Sequence, residues 1–143
     1  MNVSPGKVYF VDTNILVYAY DNSAGQKHQF AEQFLGQFWE NGNGCLSIQV
    51  LQEFYVSVTR KIIYPLDHFT ARQIVSNLTH WRLFIPEGND LLLAIDLQQS
   101  YRISFWDALV VHSAARLGCK QLFSEDLSHG EIYGGVQVTN PFL

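Results

Sequence analysis

Short apolar runs alternate along this chain with longer segments whose apolar residues recur at helical spacing. The runs, which we predict to be strands, cover residues 7–11, 45–47, 82–85, 121–123 and 136–139. Runs without alternating polar residues are typical of strands that are covered on both faces of a sheet. Because helical segments separate the strands and no hairpin turn signal joins two of them, the pattern predicts a parallel sheet with helices on both faces.

The predicted helices are recognised by their apolar stripes and by the residues that end them. Phe30, Phe34 and Phe38, for example, recur every four residues and lie on one face of a helix. Pro65 and Gly118 are typical helix-ending residues, and each follows another such segment. The predicted helices cover residues 24–39, 48–63, 67–78, 89–101 and 104–117.

The size and composition of the chain are those of one globular domain. It has 143 residues, of which 48% are hydrophobic, and we expect the domain to span residues 1–143. Nine Lys and Arg residues stand against 13 Asp and Glu residues, which gives a net charge of −4. This balance excludes a strongly basic nucleic-acid binder, but it does not exclude nucleic acid as a substrate.

The sequence lacks the patterns of secreted, membrane and zinc-binding proteins. The apolar stretch at residues 8–20 is interrupted by Asp12, and no cleavage site follows it. Cys45 and Cys119 lack zinc-site spacing, and we expect them to be buried, reduced thiols. We therefore expect a cytoplasmic protein without a zinc site.

Four acidic residues come at or soon after the ends of predicted strands. One directly follows a strand, one comes three residues after a strand, and two lie in the first or second turn of a helix. They are Asp12, Glu53, Asp107 and Asp126. Because ligands bind outside the carboxyl ends of strands in open α/β sheets, we expect these carboxylates to converge at that edge.

Four carboxylates at one edge would repel one another and raise each other's pKa, so they need a compensating cation. Oxygen ligands around an open site suit Mg²⁺ or Mn²⁺. One or two such ions can activate a water and stabilise the leaving oxygen of a phosphodiester. The acidic residues therefore predict metal-dependent hydrolysis of a phosphodiester.

Each acid also has a purely structural interpretation. Asp12 can cap a helix, and Asp107 fits the last position of a capping box. Asp126 can be a turn residue, and Glu53 an exposed helical glutamate near Arg60. Glu53 argues most strongly for a site, because it lies close to the buried edge of its helix, where an unpaired glutamate is unusual.

Five blocks of this sequence resemble the PIN-domain ribonucleases, in particular the VapC-like toxins of prokaryotic toxin–antitoxin pairs. The blocks are VDTNILVYAYD (11–21), LSIQVLQEFYVSVTRK (46–61), SFWDALVVHSA (104–114), LFSEDLSHG (122–130) and VTNPF (138–142). They occur in the family's order with fitting gaps, so the resemblance runs over the whole chain. The family pattern places its four acids on Asp12, Glu53, Asp107 and Asp126.

The resemblance implies a three-layer α/β/α fold, with a central parallel sheet of four to five strands flanked by helices. It also implies an Mg²⁺- or Mn²⁺-dependent endoribonuclease, a homodimer, and inhibition by a cognate antitoxin protein. Thr13, Asn14 and Ser124 match the polar neighbours that orient carboxylates and the attacking water in such sites.

Residues beside the four acids are weaker candidates. Glu125 ranks lower as a ligand because adjacent side chains diverge. His129 follows Asp126 by three residues and can reach an RNA phosphate, although most loop histidines have no such role. Tyr18 or Tyr20 can stack on bases, although core packing explains most aromatic residues better. Cationic residues that can hold phosphates, or form an ordinary solvated face, are Lys27, His28, Arg60, Lys61 and Arg102.

The main alternative is a catalytically silent PIN-fold module that binds RNA or protein. Loss of an acid would favour it, and all four acids are present. A haloacid-dehalogenase-like phosphatase would need a second acid two residues after Asp12, where this chain has Asn14. Without its four site acids the chain has nine acidic and nine basic residues, so we expect RNA affinity to depend on divalent metal.

Overall fold

A computed structural model describes residues 3–143 of the chain. The strands, in chain order, are β1 (Tyr9–Val11), β2 (Gly44–Ser47), β3 (Arg82–Phe84), β4 (Gln121–Phe123), β5 (Ile132–Tyr133) and β6 (Val136–Thr139). The α-helices are α1 (Thr13–Tyr20), α2 (Gln26–Asn41), α3 (Ile48–Val56), α4 (His68–Leu78), α5 (Gly88–Tyr101) and α6 (Phe105–Arg116). A 3₁₀ turn (Asn22–Ala24) precedes α2, and a π-helical turn (Ser57–Lys61) extends α3.

The strands form one sheet in the order β3–β2–β1–β4–β6–β5. The pairs β1–β2, β1–β4, β2–β3 and β4–β6 are parallel, with Phe10 opposite Cys45 on one side and Leu122 on the other. The carboxyl ends of β1, β2 and β4 therefore lie next to one another at one edge. The prediction of a central parallel sheet is confirmed for the five strands that the sequence identified.

The last two strands differ from the prediction. β5 pairs antiparallel with β6, and the residues between them, Gly134 and Gly135, have φ angles of 55° and 85°. Two successive positive φ angles are those of a tight hairpin turn, which glycine adopts without steric cost. The expectation that no hairpin joins two strands was therefore wrong, and the sheet has a sixth strand.

The predicted helices are present with boundaries shifted by a few residues. The segment predicted as one helix over residues 48–63 consists of α3 and the π-helical turn, where the Ile62 N–H bonds the Ser57 carbonyl five residues back. A further helix, α1, follows Asp12 directly, and Asp12 is its N-cap. Asp12 thus has the capping position that its structural interpretation proposed.

The helices complete a three-layer α/β/α fold. α1 packs against α2 and α3, and α3 against α4, whereas α5 and α6 pack against each other and α6 lies on β2, β4 and β6. Aromatic side chains fill much of the core, and the rings of Phe34 and Phe123 meet edge to face with centroids 4.8 Å apart. Cys45 and Cys119 are buried free thiols, as expected. Within residues 3–143, no helix combines the length and apolar content needed to cross a membrane.

Candidate functional site

Asp12 lies at the end of β1, where the sheet hydrogen bonding continues from its N–H to the Phe123 carbonyl (2.9 Å). Its side chain is almost fully buried, with 3% of the residue exposed. One carboxylate oxygen, Oδ1, accepts from the Thr13 N–H (2.8 Å), and the other, Oδ2, accepts from the Ser124 hydroxyl (2.7 Å) and the Asn14 amide (3.4 Å). The three polar residues named from the sequence therefore surround this carboxylate.

The surroundings of Asp12 change its acidity. Burial raises its pKa to about 7, although the hydrogen bonds from Ser124 and Thr13 oppose the shift. The negative charges of Asp126 and Glu53 raise the pKa further, which means that both carboxylates are near enough to act on Asp12. None of the ion pairs among residues 3–143 involves Asp12.

Glu53 reaches the same region from the second turn of α3. Its Oε1 accepts from the Thr13 hydroxyl (2.8 Å), and its Oε2 accepts from the amide of Gln49 (3.5 Å). The side chain is half-buried and has no ion pair with Arg60 among the described residues. The interpretation of Glu53 as an exposed helical glutamate is therefore wrong.

Asp107 lies in the first turn of α6, where its N–H donates to the Ser104 hydroxyl (3.0 Å) as a helix cap requires. Partial burial raises the pKa of its carboxyl group, a hydrogen bond with Ser104 lowers it, and the charges of Asp126 and Glu53 raise it. The capping position of Asp107 and its electrostatic contact with the other acids are thus compatible.

The loop after β4 brings in the fourth acid. The Ser124 hydroxyl, which donates to Asp12, also accepts from the Asp126 N–H (3.1 Å). Next to it, the Glu125 N–H donates to the side-chain oxygen of Asn14 (3.2 Å). Two short links therefore hold this loop against the start of α1 and set the backbone of Asp126 beside Asp12.

The acids border an open cleft of about 690 Å³. Glu53 and Asp126 line it directly, whereas Asp12 is buried behind Thr13 and Asn14. The remaining lining residues are Val17, Tyr18, Gln49, Gln52, Val56, Ser57, Lys61 and Trp106. Glu53 and Asp126 therefore line one opening at the carboxyl edge of the sheet, and their charges act on both Asp12 and Asp107.

The donor set fits a hard divalent cation. Carboxylate oxygens are its preferred ligands, and the raised pKa values of Asp12 and Asp107 arise partly from repulsion that a cation would relieve. Within residues 3–143, no three carboxylate, imidazole or thiol groups lie close enough together to surround an ion. Mg²⁺ is usually held by only one or two carboxylates, with waters and substrate phosphates as further ligands.

A protein-family model described as PIN domain matches residues 9–134. The chain belongs to the PIN-domain family. All four acids fall within the matched range, as do Thr13, Asn14 and Ser124. A comparison with curated protein sequences gives no match.

Solved structures resemble this PIN domain over most of its length. A toxin–antitoxin complex from Klebsiella pneumoniae aligns with a TM-score of 0.69 and 17% identity, over 93% of this chain and 97% of the other. VapC20 of Mycobacterium tuberculosis, a toxin that cleaves the sarcin–ricin loop, aligns with a TM-score of 0.62 and 17% identity, over 82% and 89%. DNA-bound VapBC of Salmonella typhimurium gives 0.65 and 13%, over 92% and 96%. These likenesses confirm the VapC-like fold.

Of the weaker candidate residues, some line the cleft and others are bound to partners elsewhere in the PIN domain. Lys61 lines the cleft, whereas Lys27 forms an ion pair with Glu125, which also accepts from the Tyr18 hydroxyl (2.6 Å). His129 accepts from the Asn140 N–H (3.0 Å) and so anchors the C-terminal segment. Glu125 and His129 therefore have structural partners of their own.

Gln49 and Trp106 are among the cleft residues that the sequence did not identify as candidates. Gln49 precedes Glu53 by one helical turn, a spacing that places both side chains on one face and would have identified it. Trp106 directly precedes Asp107 and is 60% exposed. Its apolar character predicted a core position. Only its place between the N-cap Ser104 and Asp107 distinguished it from the other aromatic residues.

Proposed function

We propose that this PIN domain is a metal-dependent endoribonuclease and the toxin of a toxin–antitoxin pair. The observation that carries this proposal is the hydrogen bonding that joins three acids beside one cleft. Thr13 binds both Asp12 and Glu53, and Ser124 binds both Asp12 and Asp126. The charges of Glu53 and Asp126 repel those of Asp12 and Asp107. None of these four acids forms an ion pair with a cationic side chain among the described residues. Repulsion of this kind costs folding free energy, and a cation-dependent function is its simplest explanation.

Asp12, Glu53, Asp107 and Asp126 would hold the cation, Mg²⁺ or Mn²⁺, one or two of them directly and the others through its bound waters. When bound, such an ion activates a water for attack on an RNA phosphodiester and stabilises the leaving oxygen. Family membership, the carboxylate donor set and the open cleft support this assignment.

The neighbouring polar residues would keep the ligands in position. Thr13 donates to one carboxylate oxygen of Glu53, and Gln49 donates to the other. Ser124 and Asn14 both donate to Oδ2 of Asp12. Because Ser124 also binds the Asp126 N–H, one hydroxyl sets the spacing between two of the acids. These hydrogen bonds would limit rotation of the carboxylates and so keep their oxygens in place for the ion.

The proposed partners are RNA as the substrate, a cognate antitoxin protein and a second copy of the chain in a homodimer. The antitoxin is supported by the structures similar to this chain, among them a toxin–antitoxin complex and DNA-bound VapBC. The homodimer rests on the sequence resemblance. The cytoplasmic location rests on the lack of targeting patterns and on the two cysteines, and the extent of the domain over residues 1–143 rests on length and composition.

The test is RNA cleavage by the purified protein with Mg²⁺, with Mn²⁺ and with a chelator. We expect cleavage with metal only, and its loss in Asp12→Ala and Asp126→Ala variants. Asp96→Asn is the matched control, because Asp96 is an exposed acid of α5 that does not line the cleft. Cleavage that persists in chelator or in both alanine variants would contradict the proposed mechanism.

The alternative is a catalytically silent module that binds RNA or protein. Metal-independent RNA binding without cleavage, in protein whose melting temperature does not rise with Mn²⁺, would establish it.

A further inference from the structure

Trp106 is exposed at the wall of the cleft, in the first turn of α6. With 60% of its surface accessible, it differs from Trp81, which is buried in the core. An indole ring exposed to water costs free energy that a bound apolar or aromatic group would recover. The same cleft is lined by Glu53 and Asp126, so whatever contacts the indole lies beside the acids.

Trp106 is held in place from two sides. The amide of Gln49 donates to its carbonyl (3.2 Å) and to Glu53 Oε2 (3.5 Å). The ring of Phe105 meets the indole nearly perpendicularly, at 76° with centroids 5.2 Å apart. The residue is therefore fixed relative to Glu53, and its exposure is a property of an ordered part of the fold.

Gln49 also provides an unused polar atom. Its amide nitrogen donates to Glu53 Oε2 and to the Trp106 carbonyl, which fixes the amide orientation. The amide oxygen, Oε1, is buried and has no hydrogen-bond partner among the described residues. Gln49 itself is only 7% exposed and lines the cleft. A buried acceptor without a donor is a site for a ligand N–H or for a water that a ligand displaces.

The rest of the cleft suits a nucleotide. Val17, Tyr18 and Val56 supply apolar lining, and Lys61, which forms none of the ion pairs among residues 3–143, supplies a cation for a phosphate. Aromatic platforms that lie next to a cation are typical of single-stranded nucleic-acid binding.

We propose that Trp106 is a base-stacking residue that seats one unpaired nucleobase beside the phosphate to be cleaved. The proposal rests on the proposed nuclease function and adds to it a residue that positions the substrate. Stacking on the indole would place the adjoining phosphate towards Glu53 and Asp126, and the Gln49 oxygen would be available to a base N–H.

The experiment measures RNA binding apart from cleavage. A short unstructured oligoribonucleotide, and a series in which each position in turn is abasic, are titrated against wild type, Trp106→Ala and Trp106→Phe. The buffer contains Ca²⁺, which also binds carboxylate oxygens, and gel electrophoresis checks that the RNA stays intact. Phe69→Ala is the control, because Phe69 is an aromatic residue at least as exposed as Trp106 that does not line the cleft. Circular dichroism and thermal melting check that each variant is folded.

We expect Trp106→Ala to weaken binding by roughly fivefold to a hundredfold, the range of base–aromatic stacking, while Trp106→Phe retains most of the affinity. One abasic position is expected to weaken binding to wild type and not to Trp106→Ala, because base and indole act as a pair. Indole fluorescence is expected to be quenched by the intact oligoribonucleotide.

Three results would overturn the proposal. The first is equal affinity of wild type and Trp106→Ala, and the second is an equal loss in Phe69→Ala. The third is unchanged RNA binding together with loss of self-association in Trp106→Ala, which would assign the residue to a protein interface. Binding and metal-dependent cleavage are separate readouts. Stacking without cleavage would contradict the nuclease alone, and cleavage without stacking would contradict the base site alone.

Discussion

The Thr13 hydroxyl donates a hydrogen bond of 2.8 Å to Glu53 Oε1 and so joins two helices across 40 positions of the chain. The residue that follows the first acid thereby holds the second. Because Thr13 also donates its N–H to Asp12, the positions of both carboxylates depend on one residue.

Replacement of Thr13 by Val removes this hydroxyl at nearly constant volume. We expect Mn²⁺ affinity and RNA cleavage to fall by about tenfold or more, the usual effect of removing a group that orients a metal ligand. Isothermal titration with Mn²⁺ measures the affinity. Thr13→Ser, which keeps the hydroxyl, serves as the control, and equal affinities for the two variants would refute the positioning role.

Cation binding is expected to depend on pH through Asp12, whose pKa is raised to about 7 by burial. Below that pH a proton must be displaced, so Mn²⁺ affinity should fall by up to about tenfold for each pH unit. Titration in buffers of different ionisation enthalpy reports the proton released. Affinity that stays constant between pH 5 and pH 8, about two units below and one above this pKa, would contradict this.

The same shift predicts how stability depends on pH in chelator. The folded state binds the Asp12 proton more tightly than the unfolded state, in which the pKa is near 3.8. The free energy of unfolding should therefore decline as pH rises from about 4 to about 7, and by this group alone the decline is on the order of a few kcal/mol. Urea unfolding across this range tests it. Asp12→Asn should show a flatter profile, and Mn²⁺ should restore wild-type stability at neutral pH.

Lys27 is expected to matter more for activity than for stability. Its ion pair with Glu125 is partly exposed, with side-chain exposures of 44% and 25%, and such pairs contribute no more than about 1 kcal/mol. Glu125 nevertheless adjoins Asp126, so Lys27→Met should loosen that loop and slow cleavage several-fold. Glu32→Gln, which removes the other ion pair of α2, is the control for melting temperature and cleavage rate. If Glu32→Gln slowed cleavage as much as Lys27→Met, the Lys27–Glu125 pair would have no specific effect on activity.

Asp90 joins α5 to α6 at a distance from the cleft. Its Oδ1 accepts from His112 Nε2 (2.7 Å) and Arg116 (2.8 Å), and its Oδ2 accepts from the Glu87 N–H (2.8 Å). The Glu87 N–H and His112 lower the pKa of this carboxyl, so its contribution to stability is lost as pH falls through that pKa. Asp90→Asn should lower the melting temperature at neutral pH and leave Mn²⁺ affinity unchanged. Reduced Mn²⁺ affinity in folded Asp90→Asn protein would argue against a purely structural role.

Much of the fold could be predicted because apolar runs report burial directly. β1 and β4 are continuous apolar runs, and Asp12 and Asp126 could therefore be assigned to the edge where these strands end. β5 could not be predicted in the same way. Ile132–Tyr133 is only two residues long and forms a strand because the glycine turn folds it back on β6.

The sequence predicted which residues form the candidate site, but not how they are arranged. The spacing of the four acids and the family resemblance identified them, but the burial of Asp12 and its coupling to Ser124 depend on how β1 and β4 align. The exposure of Trp106 also could not be predicted, because an apolar residue in a helical stripe is usually buried. What covers each residue is decided by contacts between distant parts of the chain.

The two edges of the sheet limit how this protein can associate. One edge is β5, with two residues, and the other is β3, with three residues and Pro86 shortly after it. Strands this short offer too few unpaired backbone groups for another chain to extend the sheet, and a nearby proline discourages it further. Helix surfaces, such as the exposed Leu91, Leu92 and Ile95 of α5, are therefore better suited to association than the sheet edges are. Short edges also protect the folded chain from aggregation through its strands.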